Sequence, residues 1–121
     1  MSIRYTLKAE GNLLLVEASG FDESLAEVQA YGQAIIEACL AADCSRVLCN
    51  ETGLEYRLGT IENFQSAEGI AARIHKTVKV AIVCNPKFKA DAYFWETVAV
   101  NRGMMVRFFQ ELDTARRWLG R

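Results

Sequence analysis

The sequence predicts an α/β domain with a mostly parallel sheet, and two observations carry this prediction. Short apolar runs typical of buried strands, such as Arg46–Asn50 and Val78–Cys84, alternate with longer stretches whose apolar residues recur at helical spacing. After residue 20 the alternation is regular, and regular alternation requires crossover connections between parallel strands. The predicted order is therefore β-β-α-β-α-β-α-β-α, in a five-stranded sheet whose first strand alone runs antiparallel.

The first two strands are predicted to form a hairpin. Residues 3–9 alternate between apolar and polar side chains, as a half-buried strand does. The turn residues Glu10-Gly11-Asn12 follow, and a second strand begins at Leu13 and ends near Ala18. We expect these two strands to pair antiparallel.

Two amphipathic helices flank the next strand. Asp22 is expected to cap the first, which spans about five turns. Its apolar residues share helical spacing: Leu25, Val28, Ile35, Ile36, Cys39 and Leu40. The strand Arg46–Asn50 follows, and residues 51–59 are interpreted as a loop. Thr60 is expected to cap the second helix. The predicted buried stripe of that helix is Ile61, Phe64, Ala67, Ala71 and Ile74.

The remaining elements complete the alternation. A third helix is predicted from about Phe88 to Asn101, ended by Gly103. Its sheet-facing stripe is predicted to be Phe88, Ala92, Trp95, Val98 and Ala99. Met104–Phe109 is the fifth predicted strand. Asp113 is expected to cap a last helix over residues 114–119.

Composition limits the classes of partner. The chain has 121 residues, 51% of them hydrophobic, and a formal net charge of −1. These values are typical of one folded domain, residues 1–121. A near-neutral chain has no general attraction to nucleic acid or anionic lipid. No apolar run approaches the ~20 residues that cross a bilayer, and residues 1–6 hold no apolar signal core. We therefore expect a cytoplasmic protein with no transmembrane segment and no nucleic-acid partner.

The four cysteines are expected to be buried, reduced thiols, because no two of them form a C-x-x-C pair. Cys49 and Cys84 lie near the ends of strands that are predicted to be neighbours, so a redox pair or a soft-metal site is the alternative. The chain has one histidine, and a structural metal usually takes four ligands. We expect no metal and no cofactor.

The hairpin, the long first helix and the strand Arg46–Asn50 resemble the SpoIIAA-like branch of the STAS superfamily. The ending Val106-Arg107-Phe108-Phe109, followed by Ala115-Arg116-Arg117-Trp118-Leu119, resembles it as well. The resemblance covers nearly the whole chain and implies a βα superhelix, a fold shared with CRAL/TRIO lipid-binding domains. It implies anti-sigma-factor antagonism, partner binding or, in distant relatives, lipid carriage.

The resemblance also implies a candidate phosphoacceptor. Antagonists of this family carry an Asp-Ser-Ser/Thr-Gly turn before the second helix, where one hydroxyl is phosphorylated. This chain has Leu58-Gly59-Thr60-Ile61 there, so Thr60 alone matches, while the aspartate is replaced and the glycine is displaced. The alternative is that Thr60 only caps the helix.

Polar residues follow two strands that are predicted to be neighbours. In open α/β sheets, ligands collect outside the carboxyl ends of the strands. The candidate ligand-binding or partner-binding residues are Asn50, Glu51, Thr52, Arg57, Asn85 and Lys87. Glu51 and Lys87 would supply an acid and a cation near one another. The alternative is that these residues occupy loops only because they need water.

Tyr93 and Phe94 are candidate interface residues. Because the predicted stripe of the third helix faces the sheet, both residues are expected at the edge of that buried face. Exposed aromatic surface is typical of interfaces and of apolar ligand sites. The alternative is that neighbouring loops bury them.

The sequence contains no G-x-G-x-x-G, Walker or G-x-S-x-G motif. We therefore expect a non-enzymatic binding or regulatory module that acts through protein contacts, as a homodimer with an unidentified protein partner. The alternative is a carrier or sensor of a small apolar ligand, such as a lipid, held between the helices and the sheet.

Overall fold

The computed structural model, which describes residues 2–120, has the predicted alternation of strands and helices. A 3₁₀ turn at Pro86–Phe88 precedes the third helix. The strands and helices are β1 (Ile3–Glu10), β2 (Leu13–Phe21), α1 (Leu25–Ala41), β3 (Arg46–Glu55), α2 (Thr60–Arg73), β4 (Lys79–Cys84), α3 (Lys89–Asn101), β5 (Met105–Phe109) and α4 (Leu112–Leu119).

The five strands lie in the sheet in the order in which they occur in the chain. β1 pairs with β2 antiparallel, and β2 to β5 are parallel, which confirms the predicted fold class. Right-handed crossovers that all advance in one direction put their helices on one face of a sheet. Residues of α1, α2 and α3 accordingly share one core with a row formed by Leu14, Val47, Val80 and Val106.

α4 packs on the opposite face of the sheet. Its Ala115 and Leu119 belong to a second cluster with Leu48, Ala81 and Val83. The Lys79 ammonium donates a hydrogen bond of 2.6 Å to the carbonyl of Trp118 and lies 4.5 Å from the centre of its ring. This contact satisfies one of the carbonyl groups that a helix end leaves free.

α1 begins two residues later than the predicted cap would place it. Ser24, not Asp22, is the N-cap, and its Oγ accepts a hydrogen bond of 3.2 Å from the backbone N–H of Glu27. Asp22 is buried instead and accepts hydrogen bonds from the backbone N–H groups of Arg57 and Leu58. The Asp22 carboxylate, predicted from local spacing to cap α1, therefore bonds to a segment distant in sequence instead.

β3 is longer than predicted, and the expected loop is wrong for residues 51–55. Glu17 pairs with Asn50, but Ser19 pairs with Gly53, so β3 carries one extra residue between them. Such a bulge changes which face the following side chains point to. Glu51 and Leu54, three positions apart, are consequently both buried.

The starts of α2 and α4 also differ from the prediction. Gly59 is the N-cap of α2 and Thr60 is its first helical residue, so the predicted threonine cap is wrong. α4 begins at Leu112 with Glu111 as its N-cap, which places Asp113 inside the first turn. Ile61, predicted to be buried, is 74% exposed. None of the helices within residues 2–120 is long and apolar enough to cross a membrane.

Candidate functional site

A cavity of about 100 Å³ lies between the sheet and the three helices on its α1–α3 face. Its walls are mostly apolar and include Ile35 of α1, Ile70 of α2 and Ile82 of β4. Glu51 brings a carboxyl group to this lining, and Asp91 in the first turn of α3 is an exposed lining residue. The cavity therefore reaches solvent near the start of α3.

Glu51 is held by two tyrosines. The hydroxyl of Tyr31 donates a hydrogen bond of 2.7 Å to Oε2, and the hydroxyl of Tyr56 donates one of 2.6 Å to Oε1. Glu51 follows Val47 and Cys49 at strand alternation and so shares their buried face, the buried face of α1 supplies Tyr31, and Tyr56 directly follows β3. Three separate elements thus build one polar cluster inside an apolar core.

Burial controls the ionisation of this cluster. Burial raises the pKa of the Glu51 carboxyl above its ordinary value, and the hydrogen bonds from Tyr56 and Tyr31 lower it by less. Burial also raises the pKa of both tyrosines, and the charge of Glu51 raises them further. Both hydroxyls therefore remain protonated donors, and an ionised Glu51 would gain from a cation brought to it.

The charge of the cavity lining is of one sign. Asp22, Glu51 and Asp91 line it, and the lining residues, all within the described part of the chain, include no lysine, arginine or histidine. Burial raises the pKa of the Asp22 carboxyl, although hydrogen bonds from two backbone N–H groups oppose this. The nearby potential is negative whenever these carboxyl groups ionise.

Trp95 forms a fixed wall of the same cavity. Its ring nitrogen donates a hydrogen bond of 3.0 Å to the hydroxyl of buried Ser66 on α2. Its ring packs edge-on against Phe108 of β5, with ring centres 5.8 Å apart. Every buried side-chain nitrogen and oxygen atom within residues 2–120 has a hydrogen-bond partner, so the polar groups around the cavity are held in place.

The predicted strand-end residues do not converge on one site. Asn50 and Thr52 bond to each other: Asn50 Oδ1 accepts from the Thr52 backbone N–H at 3.2 Å and from its hydroxyl at 2.8 Å. Arg57 pairs with Glu55 at 2.9 Å, and its guanidinium lies 3.9 Å from the centre of the Phe21 ring.

Asn85 and Lys87 act locally as well. Asn85 caps the 3₁₀ turn by accepting a hydrogen bond of 2.9 Å from the backbone N–H of Lys87. The Lys87 ammonium lies 5.7 Å from the centre of the Phe88 ring. The partners of buried Glu51 are the two tyrosines, and Lys87 is exposed, so the acid and the cation predicted to lie near one another do not bond to each other.

Strand order explains this dispersion. The crevice at strand ends forms where the order of a doubly wound sheet reverses, so that successive crossovers leave on opposite faces. Here the strands keep chain order, and the helices that connect β2 to β5 pack on one face. The cavity consequently lies between these helices and the sheet, not in a crevice at the carboxyl ends of the strands.

The cysteines are buried and unpaired, as expected. Cys49 lies opposite Ile82, and Cys84 lies opposite Glu51, on neighbouring strands. Burial, with the charge of Glu51, raises the pKa of the Cys84 thiol to about 11 and raises that of Cys49 as well. Raised thiol pKa values disfavour the reactive thiolate. Within residues 2–120, no three His, Cys, Asp or Glu side chains group as a metal site.

The three remaining predicted residues differ in exposure. Tyr93 is 71% exposed, whereas Phe94 is half-buried and packs against the core. Thr60 is exposed at the start of α2. Sequence reasoning missed Tyr31, Tyr56 and Ser66, and the signal available was weak: Tyr31 lies four residues before Ile35, on the same helical face.

The fold of this chain is similar to those of two solved structures. An uncharacterised protein of the DUF3478 family with a SpoIIAA-like fold, from Shewanella loihica, matches with a TM-score of 0.55 and 17% identity. The match covers 98% of this chain and 94% of the other. The protein has a SpoIIAA-like fold. The resemblance predicted from the sequence is confirmed at the level of the fold.

A second SpoIIAA-like relative in structure is an anti-sigma factor antagonist from Mycobacterium paratuberculosis. It matches with a TM-score of 0.69 and 16% identity, over 99% of this chain and 96% of that one. At such identities the likeness shows the fold alone. No protein-family profile and no curated protein sequence matches the chain.

Proposed function

We propose that the protein is a non-enzymatic binding and regulatory module that acts through protein contacts. The observation that carries this proposal is the exposure of Ile61, which is 74% accessible in the first turn of α2. A large aliphatic side chain on a helix start, beside a hydroxyl group at Thr60, is a surface that a partner can cover and that a modification can alter.

The segment before α2 is held rigidly, which favours recognition. We name Arg57, Gly59, Thr60 and Ile61 the α2 N-terminal surface. The buried carboxylate of Asp22 accepts hydrogen bonds from the backbone N–H groups of Arg57 and Leu58 and so anchors this segment to the core. A surface that is already ordered loses little conformational entropy when it binds.

The exposed ring of Tyr93 lies at the same end of the helix pair. The side-chain amide of Asn63 on α2 donates a hydrogen bond of 3.2 Å to the carbonyl of Asp91 on α3. This bond ties the first turns of the two helices together. Aromatic residues that protrude near an apolar patch are typical of binding hot spots.

A photo-crosslinking experiment tests the proposal. A photoreactive phenylalanine analogue at position 61 should trap a defined protein in the native host, and the same analogue at Leu112, on the opposite face, should not. Ile61→Asp should abolish affinity capture of that protein, whereas Leu112→Asp should leave it unchanged. Equal crosslinking at both positions would contradict the proposal.

A second candidate function, carriage of a small apolar ligand, is favoured by the internal cavity. Its volume of about 100 Å³ lies below the roughly 300–1,000 Å³ typical of ligand pockets, so a long lipid chain exceeds it. Native mass spectrometry under gentle and then denaturing conditions tests carriage. A reproducible added mass, released on denaturation, is the expected result for a carrier, and its absence would remove this candidate.

A further inference from the structure

We infer that the cavity binds a small alkylammonium ligand, with the ammonium group at Glu51 and the alkyl chain between the apolar walls. The observation behind it is a buried carboxyl group at a cavity whose lining is otherwise mostly apolar. The inference is independent of the α2 N-terminal surface and holds whether or not that surface binds a protein.

The hydrogen bonding of Glu51 leaves capacity for a ligand. Each carboxylate oxygen accepts one tyrosine hydroxyl. A carboxylate oxygen has two lone pairs, so each can accept a second donor, and an ammonium group brings three. The tyrosines fix the carboxylate in position, which reduces the entropy lost on binding.

The lining selects a cation over an anion or a neutral group. Asp22 and Asp91 line the same cavity as Glu51, and no basic side chain is among its lining residues in the described chain. An anionic ligand would meet charge of its own sign. A neutral alcohol would leave the carboxylate without a counter-charge, which is costly in a buried setting.

Aromatic rings add to this preference. Tyr31, Tyr56, Trp95 and Phe108 all line the cavity. Ammonium groups are attracted to the faces of such rings, and the attraction strengthens when the cation is desolvated. The hydrogen bond from Trp95 to Ser66 and its edge-on contact with Phe108 hold two of these rings in fixed positions.

Size limits the alkyl chain. An engineered apolar cavity of about 150 Å³ binds benzene. The cavity here, about 100 Å³, is smaller, so a chain of about four carbons fits better than a lipid tail. n-Butylammonium is therefore a suitable probe.

Binding should depend on pH through Glu51. A cation stabilises the ionised carboxylate, so affinity should rise as the pH passes above the raised pKa of Glu51, and binding below that pH should release a proton. The other titratable groups that face this site are Asp22, Tyr31, Cys49, Tyr56, Cys84 and Asp91.

A ligand series on the wild-type protein is the first test. n-Butylammonium, 1-butanol and butyrate have similar shapes and different charges. Calorimetry near pH 8 should give n-butylammonium an affinity about tenfold or more above that of 1-butanol, since a charge-assisted hydrogen bond contributes that much. Methyl NMR shifts should map to Ile35, Ile70 and Ile82, which separates the cavity from the surface.

Two variants complete the test. Glu51→Gln keeps the shape of the side chain and should lower n-butylammonium affinity about tenfold and remove its pH dependence. Glu55→Gln removes an equal charge from the exposed end of the same strand and should change neither. The ligand series needs no variant, so it decides the question even if Glu51→Gln folds poorly.

Each result of these experiments either supports or overturns alkylammonium binding at Glu51. A preference for n-butylammonium, with shifts at the cavity methyl groups and sensitivity to Glu51→Gln alone, supports the inference. Equal affinity for 1-butanol and n-butylammonium overturns it in favour of a neutral apolar ligand. Shifts confined to surface residues, or no binding of any probe, overturn it as well.

Discussion

The carboxylate of Glu96 on α3 accepts a hydrogen bond of 2.7 Å from the backbone N–H of Phe108 on β5. β5 is an edge strand, so this N–H would otherwise be available to a strand from another molecule. At the opposite edge, Glu27 of α1 accepts hydrogen bonds of 2.7 and 3.0 Å from the backbone N–H groups of Ser2 and Ile3. A helix carboxylate therefore covers part of each edge of the sheet.

Removing the Glu96 carboxylate should make β5 associate with other strands. We expect Glu96→Ala to self-associate at lower concentration than the wild type and to lose about 1 kcal/mol of stability, because a backbone donor loses its partner. Sedimentation velocity over a range of concentrations measures this. Glu111→Ala, which removes an exposed carboxylate elsewhere, is the control, and identical sedimentation of both variants would contradict the role of Glu96.

Tyr93 is the position at which the predicted homodimer is best tested. Phe94 packs against the core, so a charge there would disturb folding as well as any interface. Tyr93 is exposed, and Tyr93→Glu should give a monomer with an unchanged circular dichroism spectrum. Leu112→Glu, on the opposite face, should leave the oligomer intact. A dimer that persists in Tyr93→Glu would place the interface elsewhere.

Glu51 should make folding stability depend on pH. Its pKa is raised in the folded protein, so its contribution to stability is fully present below its unfolded pKa of about 4.5 and is lost as the pH rises through the folded value. Glu51→Gln cannot ionise and should lack this loss. Urea unfolding between about pH 5 and pH 8 should show the stability of the variant rising relative to wild type, by about 1.4 kcal/mol for each unit of pKa shift.

Two helical glycines should respond differently to alanine. A Cβ at Gly69 would lie 3.1 Å from Nε2 of the Gln29 side chain, which can move, so Gly69→Ala should gain most of the roughly 1 kcal/mol of helix propensity. A Cβ at Gly32 would lie 2.7 Å from Cδ1 of buried Ile70, so Gly32→Ala should gain none. Thermal unfolding measures both, and an equal gain would show that Ile70 moves freely.

Charge at residue 60 should change stability through α2. Thr60 is the first residue of a helix whose N-cap, Gly59, provides no side-chain bond. Thr60→Glu should stabilise the protein by about 0.5 kcal/mol and Thr60→Lys should destabilise it by a similar amount. Phosphorylation of Thr60, still a prediction, is checked by intact mass of protein from its native host, with Thr60→Val as the control.

The order and type of the elements could be predicted from the sequence because each carries its own periodicity. The run Val78–Cys84 and the stripe through Ala67 and Ala71 specify a strand and a helix without reference to distant residues. Their ends could not be predicted as well. Asp22 is equally suited to cap a helix and to hold a distant loop, and only the folded chain places Arg57 and Leu58 within its reach.

The cluster around Glu51 could not be predicted from the sequence for a related reason. Glutamate is common in loops, and a carboxylate is expected to face water unless hydrogen-bond donors bury it. Its partners were not indicated either, because Tyr31 was not among the predicted apolar positions of the first helix and Tyr56 lay in the segment interpreted as a loop. Alternation along β3 places Glu51 on the buried face of Val47 and Cys49, but only if the strand continues past Asn50. That continuation depends on pairing with β2 and β4, which β3 does not show by itself.

The chain-order arrangement of the strands has a consequence for folding kinetics. Each strand after the hairpin pairs with the strand that directly precedes it in the sequence, so no pairing has to wait for a remote segment. Loop-closure entropy is then lost in modest, similar steps rather than in one large one. Parallel sheets are generally slow to fold because their contacts are distant in sequence. We expect this chain to refold faster than doubly wound sheets of equal length, by strand-by-strand growth from the β1–β2 hairpin.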